Sequence, residues 1–438
     1  MKASMAALTA ALITGGAVLA YPAPADAQAF ESLRNRQRSQ PNQQQQQQQD
    51  QDQQTTATNA AGREFQLSRA EREALVPLSE AARAQNWAAA QAALPAAQAA
   101  AQGADARFLV GQIQRVVGIG LNDAQLRAQG IDAMIASGGA PQTELRALYE
   151  EQGRLAAAAN DNAKMDQAFN RLLEVAPNDP EVMALVAQSR VERDSAAALR
   201  LYQQAIQARQ QAGGEVPELW RRQVLALSFR ARSPEALGQA RELLAANPTP
   251  QLWHDTIVIY RELNNVGEDQ HLDIYRLMRA AQALTSERDY VEYAEAANSA
   301  AIFGEVKSAL EEGLARNAIS AGNTGYARQM LQAASGRVQE DRASLAQEKS
   351  AAMGGNDGRR ALRVGDAFYG YGDYAQAAEL YRAALQKGGV DANLVNNRLG
   401  AALAQAGQRA EAEAAFRAIT GPRTELANLW LLWLQRRG

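Results

Sequence analysis

Val364-Gly365-Asp366-Ala367-Phe368-Tyr369-Gly370-Tyr371-Gly372-Asp373-Tyr374-Ala375-Gln376-Ala377-Ala378-Glu379-Leu380-Tyr381 is the stretch whose reading decides the fold. Val364, Gly365 and Phe368 fall on one face of a helix, because residues three and four apart share a face. Gly372-Asp373 breaks that helix and turns the chain. Ala377, Tyr381 and Ala384 then share a face of a second helix, which Gly388-Gly389 ends by permitting positive φ. Further on, Gly400, Leu403, Gly407, Arg409, Ala412, Phe416 and Ile419 repeat the spacing of Gly365, Phe368, Gly372, Tyr374, Ala377, Tyr381 and Ala384. A fixed offset over seven positions is an internal repeat. Small Gly365 and Ala377 let the paired helices approach, and the aromatic residues fill the space beside them.

Val364-Gly365-x2-Phe368 followed by Ala377-x3-Tyr381 resembles the tetratricopeptide repeat. The resemblance implies an all-α fold, an α-solenoid of helix-turn-helix repeats, over most of Ala70 to Ile419. In that family the first helix of each pair lines a groove and the second packs behind it. Carried onto this chain, Arg359, Arg363, Asp366 and Tyr369 line the groove in one copy, and Asn397 and Arg398 in the next. Arginine and asparagine there resemble the carboxylate-gripping grooves of some tetratricopeptide proteins, since guanidinium forks are bidentate and always charged. The lysines of those clamps and a third consecutive clear repeat are missing, which leaves a plain solvated face as the alternative.

Upstream the repeat degenerates. Ser68-Arg69-Ala70-Glu71 has the form of a capping box before Leu75, Leu78 and Ala82, and Trp87, Ala90 and Leu94 give a first second-helix pattern. Phe108 to Ala136 makes a further unit, blurred by Gly118 and Gly120. Gly153, Ala156, Met165, Phe169, Leu172 and Pro177 match well. Ala198-x3-Tyr202, Ala236-x3-Ala240 and Val306-x3-Leu310 are weaker copies. Leu263 to Ser286 fits the period poorly and reads as an inserted helix or pair. Gly336 to Met353 reads as a polar helix, and Gly354-Gly355-Asn356-Asp357-Gly358 as a hinge. The expected bodies are therefore residues 68–353, a degenerate solenoid, and 354–438, a separable module of clear repeats. Leu426, Leu429, Trp430, Leu432, Trp433 and Leu434 are expected to cap its last apolar face, as solenoids require. A membrane-surface or partner-docking helix is the alternative there, because so short a helix cannot span a bilayer.

The start of the chain is different material. Met1-Lys2, the apolar run Ala6 to Leu19 and Ala25-Asp26-Ala27 have the form of a secretory signal peptide cut after Ala27, with an uncleaved anchor as the alternative. Residues 28–67 include the run Gln43 to Gln49 and too few apolar residues to offset the entropy of ordering, so they are expected to form a disordered tether. Arg34, Arg36 and Arg38 give that tether an optional contact with anionic envelope material. The expected location is periplasmic or secreted. A net charge of −3 gives no whole-molecule attraction to nucleic acid, and the absence of cysteine excludes disulfides, thiol catalysis and lipoprotein anchoring.

Chemistry is scarce. Neither histidine, His254 or His271, stands in a His-Glu-x-x-His pattern or at ligand spacing from a carboxylate. There is no Gly-x-Ser-x-Gly and no phosphate-binding loop. Asp289, Glu292 and Glu295 share a helix face, and Glu150-Glu151 and Glu311-Glu312 are adjacent. All are expected to be solvated, although paired carboxylates are what glycan-cleaving enzymes use. The expected function is a non-catalytic scaffold or adaptor binding an envelope protein or peptide, with no cofactor, metal, nucleic acid or integral membrane span. A glycan-processing enzyme and a self-assembling structural protein are the alternatives. The sequence leaves the partner and the oligomeric state open.

Overall fold

The computed structural model of the protein describes residues 55–58, 64–264, 266–320 and 325–436. The segment expected to be a signal peptide and the glutamine run lie outside the described residues. The chain divides into two compact units, with the break at Trp220/Arg221. The boundary expected at residues 353/354 is therefore corrected: the clear repeats belong to the same unit as everything from Arg221 onward. Gly354-Gly355 is no open hinge either, because the Lys387 ammonium donates to the carbonyls of Met353 (2.8 Å) and Gly355.

The first unit opens with a hairpin. Strand β1 (Thr55–Thr58) pairs antiparallel with β2 (Glu64–Leu67), Thr55 opposite Leu67. Over Thr55–Thr58 and Glu64–Leu67 the expectation of disorder gives way. Glu64-Phe65-Gln66-Leu67 alternates polar and apolar, the period of a half-buried strand. Phe65 and Leu67 are buried, and Phe65 stacks on Phe108 at 6.2 Å. Ser68 and Glu71 then form the expected capping box at the start of α1 (Arg69–Arg83). The Glu71 carboxylate also accepts from the backbone N–H groups of Gln102 (3.0 Å) and Gly103 (2.7 Å), tying α1 to the start of α3 (Ala104–Gly120). Burial pushes the Glu71 pKa up, but these backbone donors outweigh it and hold the carboxyl below its ordinary range.

Between them lies α2 (Trp87–Ala100); α4 (Ala124–Ala136), α5 (Gln142–Ala158), α6 (Asn162–Val175), α7 (Pro180–Arg190) and α8 (Ser195–Gln211) complete the unit in neighbouring antiparallel pairs. Gly118, read as a blemish in its repeat, is where α3 and α4 touch: a Cβ there would lie 2.4 Å from the Arg127 backbone nitrogen.

Helix α9 (Glu218–Arg230) carries the chain into the second unit. There follow α10 (Glu235–Ala246), α11 (Pro250–Leu263), α12 (His271–Ala280), α13 (Glu287–Ser299), α14 (Phe303–Ala315) and the long α15 (Tyr326–Gly354). The clear repeats are α16 (Gly358–Gly370) with α17 (Tyr374–Lys387), and α18 (Ala392–Gln405) with α19 (Arg409–Arg417). Helix α20 (Thr424–Gln435) ends the unit. One continuous apolar core runs through it, from Leu225 to Leu434.

The register of the repeat is visible in its closest contacts. A Cβ on Gly365 would lie 2.8 Å from the Tyr381 ring, and one on Gly400 would lie 2.6 Å from the Phe416 ring. In the first unit, one on Gly153 would lie 2.3 Å from Phe169. Each aromatic follows its glycine by the same interval, so the small residue of the first helix seats the ring of the second. Sequential helix pairs packed in this way are the all-α solenoid expected from the spacing. Helix α20 buries Leu426, Leu429, Trp430, Trp433 and Leu434, with Trp430 stacked on Phe416 at 5.5 Å. It therefore covers the apolar end of the last repeat.

Candidate functional site

Four of the six side chains expected to face a groove turn into the protein. Asp366 is 5% exposed, Tyr369 7% and Asn397 1%, and the Arg398 side chain is 11% exposed. Arg359 and Arg363 alone stand at the surface, and the Arg359 Nε donates to the Gly389 carbonyl (3.1 Å). The face of α16 and α18 assigned to partner binding is covered, and what covers it is α12, the segment that fitted the repeat period poorly.

The contact between them is ionic. The Arg276 guanidinium, on α12, donates to both carboxylate oxygens of Glu305 (2.9 and 2.7 Å) and to Asp366 Oδ1 (3.3 Å), and lies 4.0 Å over the Tyr369 ring. Arg398 donates to Asp273 Oδ1 (3.0 Å) and to Asp366 Oδ2. Arg423, in the short helical turn Gly421–Arg423, donates to Asp273 Oδ2 (3.2 Å) and to Asp269. The Tyr381 hydroxyl donates to Asp366 (2.7 Å), and that of Tyr293 to Glu305.

Three guanidinium groups thus meet three buried carboxylates plus Asp269 at the surface, and the cluster is close to neutral. Burial acts against the Arg276 and Arg398 charges, but the adjoining carboxylates outweigh it and hold both pKa values above the ordinary arginine range. Burial, aided by Asp366, pushes the Tyr381 hydroxyl up and keeps it a donor. Asn397 completes the buried face; its Oδ1 has no hydrogen-bond partner among the described residues.

A network of this kind contributes little net stability compared with apolar packing, yet removing one member leaves an uncompensated buried charge. Its chemical capacity is positional. It fixes α12 against the first helices of both clear repeats, and Trp433 of α20 adds a bond from its Nε1 to the Ala280 carbonyl (3.1 Å). Sequence spacing could not find it. Arg276, Glu305 and Asp273 lie in segments without clear repeat register, and Asp366 and Arg398 were expected to face a partner-binding groove.

The carboxylates expected to be solvated are also largely engaged. Glu151 pairs with Arg115 and Arg127, and Glu150 with Arg146 and Arg154. Glu292 accepts from Arg261 (3.1 Å) and from the Tyr275 hydroxyl, and Glu312 is shared by Arg279 and Arg316. Glu295 and Glu311 are exposed, as expected.

His254 departs from its expectation too. Its Nδ1 lies 3.4 Å from Asp255 and its Nε2 3.5 Å from Asp289, the capping-box residue of α13. Burial alone would lower the His254 pKa, but the two aspartates outweigh it and raise the value to about 9. Burial opposes the Asp289 charge in turn, yet His254 and the Thr285–Ser286 donors bring its pKa down to about 2. This is a charged strut between α11 and α13. Among the described residues no group of three or more His, Cys, Asp or Glu side chains is arranged to hold a metal ion, and no helix is long and apolar enough to cross a membrane.

No family model and no curated protein matches the chain. Among solved structures, the chain is similar to the Naa15/Naa10 complex bound to HypK-THB, at 14% identity over 84% of this chain and 67% of that one, with a TM-score of 0.29. It is also similar to the APC/C hetero-tetramer Cut9–Hcn1, at 11% identity over 84% of this chain and 69% of that one, with a TM-score of 0.21. At such values neither likeness bears on function, and the fold assignment rests on the helix pairs themselves.

Proposed function

We propose that the protein is an exported, non-catalytic scaffold that binds a protein partner in the cell envelope. The observation that carries this reading is the architecture: tetratricopeptide-like helix pairs stacked in sequence, a construction whose product is extended surface. Export is supported by the n-region, apolar run and Ala25-Asp26-Ala27 of the amino terminus. The non-catalytic reading is supported by how the buried carboxylates are used. Glu305 and Asp366 are both engaged by Arg276 in the interior. A glycosidase-type general acid needs a raised pKa, whereas that of Asp289 is shifted downward.

The partner surface in this reading is not the inner face of α16 and α18, which α12 fills. Crosslinking in intact cells followed by mass spectrometry tests the proposal. The expected result is a reproducible set of envelope proteins joined to the chain. Recovery of crosslinks only within the chain, or only to cytoplasmic proteins, would refute it.

A further inference from the structure

We infer that the cleft bounded by α12, α14, α15 and α16 receives an acidic peptide segment of a partner, neighbouring Asp or Glu side chains presented on an extended backbone. This rests on the scaffold reading and names the surface and the partner chemistry. The cleft lies within the second unit and encloses about 490 Å³, within the range of sites that take ligands.

Its charge balance is uneven. Five cationic side chains, Arg276, Arg279, Lys307, Arg316 and Arg342, line it against three carboxylates, Glu305, Glu311 and Glu312. Arg276 is satisfied inside the buried network. Glu312 is divided between Arg279 (2.8 Å) and Arg316 (3.3 Å). Lys307 has among the described residues its surface partner Glu311, one turn along α14, a pairing worth little in water. Arg342 lies over the Tyr371 ring at 4.8 Å and has no carboxylate partner among the described residues. Two positive charges are thus left over at exposed or half-exposed side chains that can reach a ligand. The larger cavity of the same unit, about 650 Å³, has the opposite balance: Arg232, Arg261 and Arg288 meet Glu262, Glu268, Glu292 and Glu295. The cation excess thus distinguishes the first cleft from this one.

One feature opposes an anion. The last turns of α12, α16 and α18 end at the cleft, at Ala280, Gly370 and Gln405. Helix C-termini disfavour negative charge only weakly at exposed sites. Charge-assisted hydrogen bonds from guanidinium groups outweigh them. The Gln282 and Gln405 amides also line the cleft, and each can accept from a backbone N–H or donate to a carbonyl, so a peptide meets both kinds of partner there.

The test is fluorescence anisotropy of the full chain with a fluorescein-labelled Gly-Glu-Glu-Ala-Glu-Glu peptide at low salt. Binding is expected for the wild type and absent for the peptide with glutamine at every glutamate. The pair Arg316→Glu with Arg342→Glu should weaken binding by about tenfold or more, the loss of at least one charge-assisted bond. Both side chains are exposed, so the melting curve should hold; the Arg316→Gln, Arg342→Gln pair serves if it does not. Arg69→Glu with Arg171→Glu makes the same change in net charge at exposed sites of the first unit and should leave binding intact. No binding by the wild type, equal binding of the glutamine peptide, equal weakening by the control pair, or displacement by millimolar inorganic phosphate would each overturn the inference. A chain that still crosslinks envelope proteins while ignoring the peptide loses this inference and keeps the scaffold reading.

Discussion

Arg398→Glu would place a third carboxylate beside Asp273 and Asp366, and the expected result is loss of the fold rather than loss of a partner. Asp366→Ala should destabilise the second unit by about 3–5 kcal/mol, because Arg276 and Arg398 both lose a counter-charge in a buried setting. Arg363→Glu, at the exposed end of the same expected set, should stay within about 0.5 kcal/mol. Urea titrations of the three variants separate these outcomes, and an Asp366→Ala chain as stable as the wild type would refute the structural role. His254 gives a pH signature. Its folded pKa of about 9 lies above the ordinary 6.5, so its contribution is complete below about pH 6.5 and is lost as pH rises through 9. The span corresponds to at most about 3 kcal/mol. Melting temperatures read between pH 6.5 and 9.5 should fall in the wild type, and His254→Gln should flatten that fall. Asp289 acts in the opposite direction, its contribution being lost as pH falls from about 3.8 through 2. Residue roles of this kind were the least legible in the sequence. An arginine in a helix looks the same whether it meets water or a carboxylate from a helix far along the chain.

Elements were legible where their spacing recurs. Helices α16 to α19 repeat one pattern, and the glycine–aromatic pairs Gly365–Tyr381 and Gly400–Phe416 fix the register. Ala377 sits in that register with no exposed surface. Ala377→Trp should cost about 1–3 kcal/mol by overpacking, and an unchanged melting curve would count against the register. Helix α12 has apolar and polar residues at helical spacing, but neither face meets water. Leu272, Asp273, Ile274, Tyr275, Arg276, Leu277 and Met278 are all buried, and Asp273 and Arg276 meet charged partners from distant helices. A polar face that pairs with distant charges looks the same in sequence as one in water. The hairpin was missed for a different reason: four alternating residues, Glu64 to Leu67, stand at the end of a long polar tract whose composition dominated the reading.

The molecule as a whole divides at Trp220/Arg221, and the network explains why the sequence pointed to a later boundary. The clear repeats looked self-sufficient because each pair fills its own interior. Their outer connection to α12 runs through charged side chains, which carry no repeat signal. A fragment of residues 354–438 should accordingly melt without a cooperative transition, having left Asp273, Arg276 and the Ala280 carbonyl behind, whereas residues 221–438 should unfold in one step. Circular dichroism melts of the two fragments decide between them. The bonds from α12 also set an order of events in synthesis. Arg276 meets Asp366 90 residues later, Asp273 meets Arg398 125 residues later, and Asp273 meets Arg423 150 residues later. While the chain emerges from its amino terminus, Arg276 meets Glu305 early, but Asp273 waits for its counter-charges until Arg398 and Arg423 have appeared. The number of helices between Ala281 and Arg398 is fixed by the same reach. A repeat inserted or deleted there would carry Arg398 and Arg423 away from Asp273, so this array, unlike an open stack, cannot change its copy number and keep its interior.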